Sequence, residues 1–223
     1  MTRYFHQELQ TLENDLVSMG QHALQSLDYA MGMVLQGKLD LVGKLKESEL
    51  KIDELELKVD DEVSRYFSLR SPMASDVRLL MTAMKVSKSL ERVGDESISI
   101  AKRAKKISET MPLSNLFGVP EMATLTRGLL EESNQAFLSL EKEMASKIPA
   151  KDKVIDQINR DNFFAIEEFL KSQPEFIVSG MELLFISKSL ERIADHAVNI
   201  SSAVVFMVDA QDIRHTEQTK RSV

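Results

Sequence analysis

The sequence predicts an all-α protein of six long helices, arranged as two tandem three-helix bundles related by pseudo-symmetry. Three observations carry this. Glycine and proline are scarce, at eight and five in 223 residues. Long segments place apolar residues at helical spacing, with charges of both signs between them. Finally, Val86-Ser87-Lys88-Ser89-Leu90-Glu91-Arg92-Val93-Gly94-Asp95 returns 100 residues later, without a gap, as Ile186-Ser187-Lys188-Ser189-Leu190-Glu191-Arg192-Ile193-Ala194-Asp195. A duplicated three-helix unit explains that spacing.

The helices are predicted over about 4–35, 40–69, 73–109, 119–146, 151–171 and 175–209. Gly37 suits a left-handed end to the first, and Asp40 suits a cap for the second. Ser71 and Pro72 read as a cap and a first-turn proline opening the third. The stretch from Met111 to Pro120 holds two prolines and a glycine and reads as the linker between halves. Pro149 and Pro174 mark the remaining breaks, and past Asp209 the chain turns polar. The expected division is therefore 1–112 for the first bundle, 113–210 for the second and 211–223 for a polar tail.

Ile52-Asp53 in the second helix answers to Ile155-Asp156 in the fifth. In the third helix Leu79, Ala83, Val86, Leu90, Val93, Ser97 and Ile100 alternate steps of four and three. Leu183, Ile186, Leu190, Ile193, Ala197, Ile200 and Val204 do so in the sixth. Both read as core seams of left-handed bundle packing. The twelve methionines read as core filler and surface scatter.

Composition narrows the function. Apolar residues make up 43%, enough for a real core, and the net charge is -7. A mildly acidic chain has no general field for nucleic acid. With no cysteine, disulfides and thiolate metal sites are excluded. Residues 1–8 are polar and lack a signal-peptide core, and the longest apolar run, 203–208, is far short of the roughly 20 residues that span a bilayer. The expectation is a soluble, cytoplasmic protein with no membrane insertion. There is no glycine-rich phosphate loop. None of His6, His22, His196 or His215 has Glu three residues before it, as di-iron bundles require. These absences point away from an enzyme.

The candidate site residues are acidic. Glu91 and Asp95 stand four apart on one helix face, and Glu191 and Asp195 repeat the arrangement. Like charges at this spacing cost a few tenths of a kcal/mol. A hard cation would offset that cost, since one helix turn brings two carboxylates to one metal, and Gly94 and Ala194 leave room beside the pairs. Local salt bridging is the other reading: Lys88 lies three before Glu91 and Arg92 three before Asp95, with Lys188 and Arg192 repeating the pattern. The spacing leaves both open. Asp53, Glu56 and Asp60 share a stripe of the second helix, and Asp156 and Asn159 lie in the fifth. Arg78, set off the main seam, is a candidate partner contact.

On these residues the chain resembles the PhoU family, accessory proteins of the phosphate-specific transport system. The likeness runs from about residue 5 to His215 and is carried by order and spacing. Its motifs are Glu91-Arg92-Val93-Gly94-Asp95, Glu191-Arg192-Ile193-Ala194-Asp195, Pro72-Met73-Ala74-Ser75-Asp76-Val77-Arg78-Leu79 and Gln211-Asp212-Ile213-Arg214-His215.

The resemblance implies paired three-helix bundles, and multinuclear sites on the acidic motifs for iron, zinc, manganese or magnesium. It implies a negative regulator of phosphate uptake, linking the phosphate transporter's ATPase subunit to a membrane sensor histidine kinase, commonly as a homodimer. The chain departs from the pattern in places. His196 and Asn199 match the polar residues that follow the family's Asp, and Asn199 joins the candidate metal residues, whereas the first half has Glu96 and Ser99; Ala194 replaces the common glycine. Asn159 and Arg160 thin the acidic set of the fifth helix.

Overall fold

A computed structural model describes residues 2–69, 73–108 and 116–210. Among the described residues the fold is all-α, with six α-helices: α1 Thr2–Gln36, α2 Val42–Leu69, α3 Ala74–Ser108, α4 Val119–Ser139, α5 Lys142–Ser172 and α6 Ile177–Asp209. α1, α2 and α3 pack on one another, as do α4, α5 and α6. The broadest contact in the molecule is α3 against α6, and α1 also touches α4. The two bundles thus lie side by side, with α2 and α5 on the flanks and one continuous core.

The core follows the predicted seams. Leu183, Ile186, Leu190, Ile193, Ala197, Ile200 and Val204 are all buried, as are Ala83, Val86, Leu90, Val93, Ser97 and Ile100. Leu79 is only half-buried, and Leu80 takes the core position instead. Each buried Leu or Ile is worth about 1.5–3 kcal/mol relative to exposure, so the two seams dominate the cohesion of the halves. Met19 and Met122 are fully buried, whereas Met73, Met81, Met84 and Met181 lie on the surface. The repeat reaches side-chain detail: Ser87 Oγ lies 3.6 Å from Met19 Sδ, and Ser187 Oγ lies 3.3 Å from Met122 Sδ.

Several breaks differ from expectation. Gly37 does end α1 in the left-handed region, at φ 66°. Asp40, however, sits inside a 3-10 turn at 39–41, and α2 starts at Val42. α3 starts at Ala74, so its cap is Met73, whose N–H donates to Asp76 Oδ2 at 3.0 Å. That is the carboxylate half of a capping box. Ser71, Pro72 and the first half of the linker, 111–115, lie outside the described residues. So does the motif at 211–215.

The largest correction is at α4–α5. α4 ends at Ser139, Leu140 caps it at φ 52°, and the Glu141 N–H returns to the Ala136 carbonyl at 3.1 Å. This is a Schellman-type end built without glycine. α5 begins seven residues before Pro149 and carries that proline inside it. A proline there forfeits one backbone bond and crowds the preceding turn, but neighbouring Ile148 is fully buried and holds the segment in helix.

Candidate functional site

Gly94 is buried in the α2–α3 contact, where an added Cβ would meet Ile52 Cδ1 at 3.1 Å. The missing side chain gives room to Ile52 rather than to a ligand, correcting the expectation of space beside the acids. Its effect on the site is indirect. α2 and α3 approach closely there, which sets Asp53, the next residue along, across from Asp95.

Two residues missed in the sequence complete the picture. Glu49 stands four before Asp53, and Asp152 four before Asp156. Each bundle therefore carries an i,i+4 acidic pair on its middle helix and another on its last helix. In the first bundle these are Glu49–Asp53 and Glu91–Asp95; in the second, Asp152–Asp156 and Glu191–Asp195. The signal was present: Ile52 matches Ile155 at an offset of 103, and the same offset takes Glu49 to Asp152.

The carboxyls of each set influence one another's charge. The Glu49 carboxyl is pushed above its ordinary range by burial first, then by Asp53 and Asp95. Burial, Asp95 and Glu56 push up Asp53. Burial also leads in raising Glu91, with Asp95 adding to it and Lys88 opposing it. In the second bundle burial, Glu191 and Asp156 raise Asp195. Asp152 moves furthest, to about 7, through burial and then Asp156, Asp195 and Glu191. Its Oδ1 is buried with no hydrogen-bond partner.

Salt bridges compensate part of this charge. Lys88 Nζ lies 3.1 Å from both Glu56 Oε1 and Glu91 Oε2. Arg92 pairs with Asp95 at 3.0 Å, and Lys188 pairs with Glu191. Arg192 departs from the expected pattern: it crosses the α3–α6 seam to Glu96 Oε1 at 3.1 Å rather than holding Asp195. The close packing of α3 on α6 puts Glu96 within its reach.

The remaining candidates separate. Asp60 is exposed and lies two turns past Asp53 along α2. In an antiparallel pair that direction leads away from Glu91 and Asp95, so it stands outside the cluster. Asn159 Oδ1 accepts a hydrogen bond from Ser187 Oγ at 2.8 Å. That bond belongs to a buried network in which Asn162 Nδ2 donates to Ser187 and Asn162 Oδ1 accepts the Gly118 N–H. Asn199 faces the α3–α6 side with His196, away from the α5–α6 acids. Arg78 is half-buried, and its Nε is buried without a hydrogen-bond partner.

The donor chemistry of the facing pairs suits a hard cation, which would offset the burial and the repulsion that together raise these carboxyls. As the side chains stand, no three Asp, Glu or His groups among the described residues are arranged to hold a metal. Occupancy would need rotamer changes that break the Lys and Arg pairs. Among the described residues no helix is long and apolar enough to cross a membrane.

Fold and site together define a class: a tandemly duplicated helical bundle that presents an equivalent acidic face from each copy. The family model described as the PhoU domain matches twice, over residues 16–104 and 119–204. The chain belongs to the PhoU family. It is 28% identical over 216 residues to a phosphate-specific transport system accessory protein PhoU homolog of Pseudomonas putida, spanning 96% of this chain and 84% of that protein. The crystal structure of PhoU from Pseudomonas aeruginosa matches with TM-score 0.88 and 26% identity, over 93% of this chain and 100% of that one. That of the phosphate transport system regulatory protein PhoU from Streptococcus pneumoniae matches with TM-score 0.85 and 26% identity, over 94% and 99%.

Proposed function

We propose that this chain is a non-enzymatic regulator of phosphate transport that restrains uptake and the phosphate-starvation response. On this reading it is a cytoplasmic adaptor between the phosphate transporter's ATPase subunit and a sensor histidine kinase, and it works as a homodimer. The observation that carries the reading is end-to-end likeness, in both repeats, to proteins named for accessory and regulatory roles in phosphate transport. The test is capture of partners by tagged protein from cells grown at high and low phosphate, with reporter expression in a deletion strain. Recovery of both the ATPase subunit and the kinase, with a derepressed reporter on deletion, is expected. A deletion strain with normal phosphate repression and no capture of either partner would refute it.

A second reading is favoured by the raised carboxyls: a metal-binding carboxylate bundle, in storage or in a metal-dependent reaction. Glu91 and Asp95 with Glu49 and Asp53, and Glu191 and Asp195 with Asp152 and Asp156, would hold iron, zinc, manganese or magnesium. The metal would supply neutralisation of the acidic faces. A ligand at a hundredfold excess over its Kd stabilises the fold by about 2.7 kcal/mol. Added manganese should therefore raise the Tm of wild type more than that of the combined Glu91→Gln, Asp95→Asn, Glu191→Gln, Asp195→Asn variant. Equal shifts would leave the salt bridges as the full role of these residues.

A further inference from the structure

Along the seam between α3 and α6 lies a groove of about 440 Å³. α3 lines it with Lys85, Lys88 and Arg92, which share one helix face, and α6 lines it with His196, Asn199 and Phe206. None of its lining residues is acidic. Lys88 and Arg92 also reach outward to Glu56, Glu91 and Asp95. Lys85 rests 4.5 Å over the Phe206 ring, with no carboxylate partner among the described residues.

The duplication supplies an internal control. The 100-residue offset maps its lining onto equivalent positions at the other end of the same seam, exchanging the roles of α3 and α6. There the cations are neutralised from within. Glu182 is buried and accepts from Arg103 and Lys106, each at 2.7 Å, while Glu96 accepts from Arg192 at 3.1 Å. Arg103 also sits 4.3 Å over Phe185, as Lys85 does over Phe206. In the groove the positions of Glu182 and Glu96 hold Thr82 and His196. Thr82 is buried with its hydroxyl 3.5 Å from the Ala203 carbonyl, and His196 keeps an unpartnered, buried Nδ1. One copy of the seam carries these two carboxylates; the other lacks both, and Lys85 there has no carboxylate among the described residues.

We infer that the Lys85–Lys88–Arg92–His196 groove binds an external oxyanion of the phosphoryl class, which takes the place of the two carboxylates present at the duplicate positions. A tetrahedral oxyanion presents several acceptors at once and suits ammonium and guanidinium donors converging from one helix face, with the Asn199 amide opposite. The volume admits either free phosphate or a phosphoryl group on a small molecule, whose apolar part would lie towards Phe206 and Ala203. This inference does not rest on the adaptor reading or on metal occupancy.

The test titrates chelator-treated protein with inorganic phosphate or adenosine monophosphate at constant ionic strength, against sodium chloride, by calorimetry and by amide chemical-shift mapping. Saturable binding with shifts centred on residues 82–92 and 196–206 is expected. The decisive variant is His196→Glu, which installs the carboxylate that Glu96 supplies at the duplicate position without removing a cation; Lys85→Gln removes the cation that lacks an acid. Each should weaken binding by about tenfold or more, with the helical spectrum unchanged. Preference for inorganic phosphate identifies a free-ion site, and preference for the nucleotide identifies a phosphoryl metabolite; both support the groove. No binding of either ligand beyond the chloride control overturns the inference, as do shifts confined to other faces or undiminished affinity in both folded variants.

Discussion

The two acidic faces come from one ancestral unit and are balanced differently. In the first bundle Lys88 leaves α3 to sit between Glu56 of α2 and Glu91 of its own helix. In the second, Lys188 pairs with Glu191, and the position of Glu56 is taken by Asn159, which is committed to Ser187. The first face is tied across the helices by charge. The second is tied by a neutral amide network, and burial together with repulsion from Asp156, Asp195 and Glu191 lifts the Asp152 carboxyl to about 7. Equivalent backbone positions can thus keep a shape while redistributing charge, and that shared shape is what substitutions can probe.

The largest effect should come from the core, where the halves ought to agree. Leu90→Ala and Leu190→Ala each empty a fully packed seam position, and each should cost about 2–5 kcal/mol in denaturant unfolding. A loss under about 1 kcal/mol for one alone would mean that the seams are not equivalent.

Next comes the seam between bundles. Glu182→Ala leaves Arg103 and Lys106 facing each other without their shared carboxylate. Because Lys106 remains partly in solvent, a cost of about 2 kcal/mol is expected, below that of a fully buried pair. Thr82→Ala, at the equivalent site, should cost about 1 kcal/mol or less.

A smaller, pH-dependent effect belongs to Asp152. Its folded-state pKa of about 7 lies above the ordinary value of 3.8. At acid pH below the ordinary value both states hold the proton and nothing is lost. As pH rises from there to about 7, the unfolded chain ionises first, and stability falls. Above that window the full penalty persists. Asp152→Asn should therefore stabilise the metal-free protein at pH 8 by about 1 kcal/mol, an amount discounted for the side chain's partial exposure. The gain should vanish near pH 4, as read from chemical unfolding in chelator-treated buffer. An equal gain at both pH values would sink the electrostatic account. The smallest effect is Arg127→Ala, which removes an exposed pair from Asp28 across α1–α4; about 0.5 kcal/mol is expected.

Much of this architecture was legible in the sequence because it rests on periodicity. Helical spacing gave six helices, and the repeated ten residues gave the paired α3 and α6. The α4–α5 junction was not legible: Leu140 takes a left-handed conformation normally marked by glycine, and Pro149, normally a breaker, is held inside a helix by packing. The 103-residue register of α2 and α5 would have corrected this, since it places Lys142 opposite Leu39, just ahead of α2. The same register would have exposed Glu49 and Asp152. A stripe along one helix identified Asp60 as well as Asp53, because a single helix says nothing about which part of its face meets a neighbour. The contact between Arg192 and Glu96 was beyond spacing rules, since it depends on how two bundles pack.

The unequal ends of the α3–α6 seam have a consequence for counting and direction. A perfect duplicate would present the same edge twice, take two equivalent ligands per chain and bind a partner in either of two orientations. Replacement of Glu96 and Glu182 by their counterparts His196 and Thr82 removes that degeneracy. The chain has a head and a tail: the groove proposed above would take one ligand per chain, and a partner recognising that edge would meet this pseudo-twofold body in only one orientation.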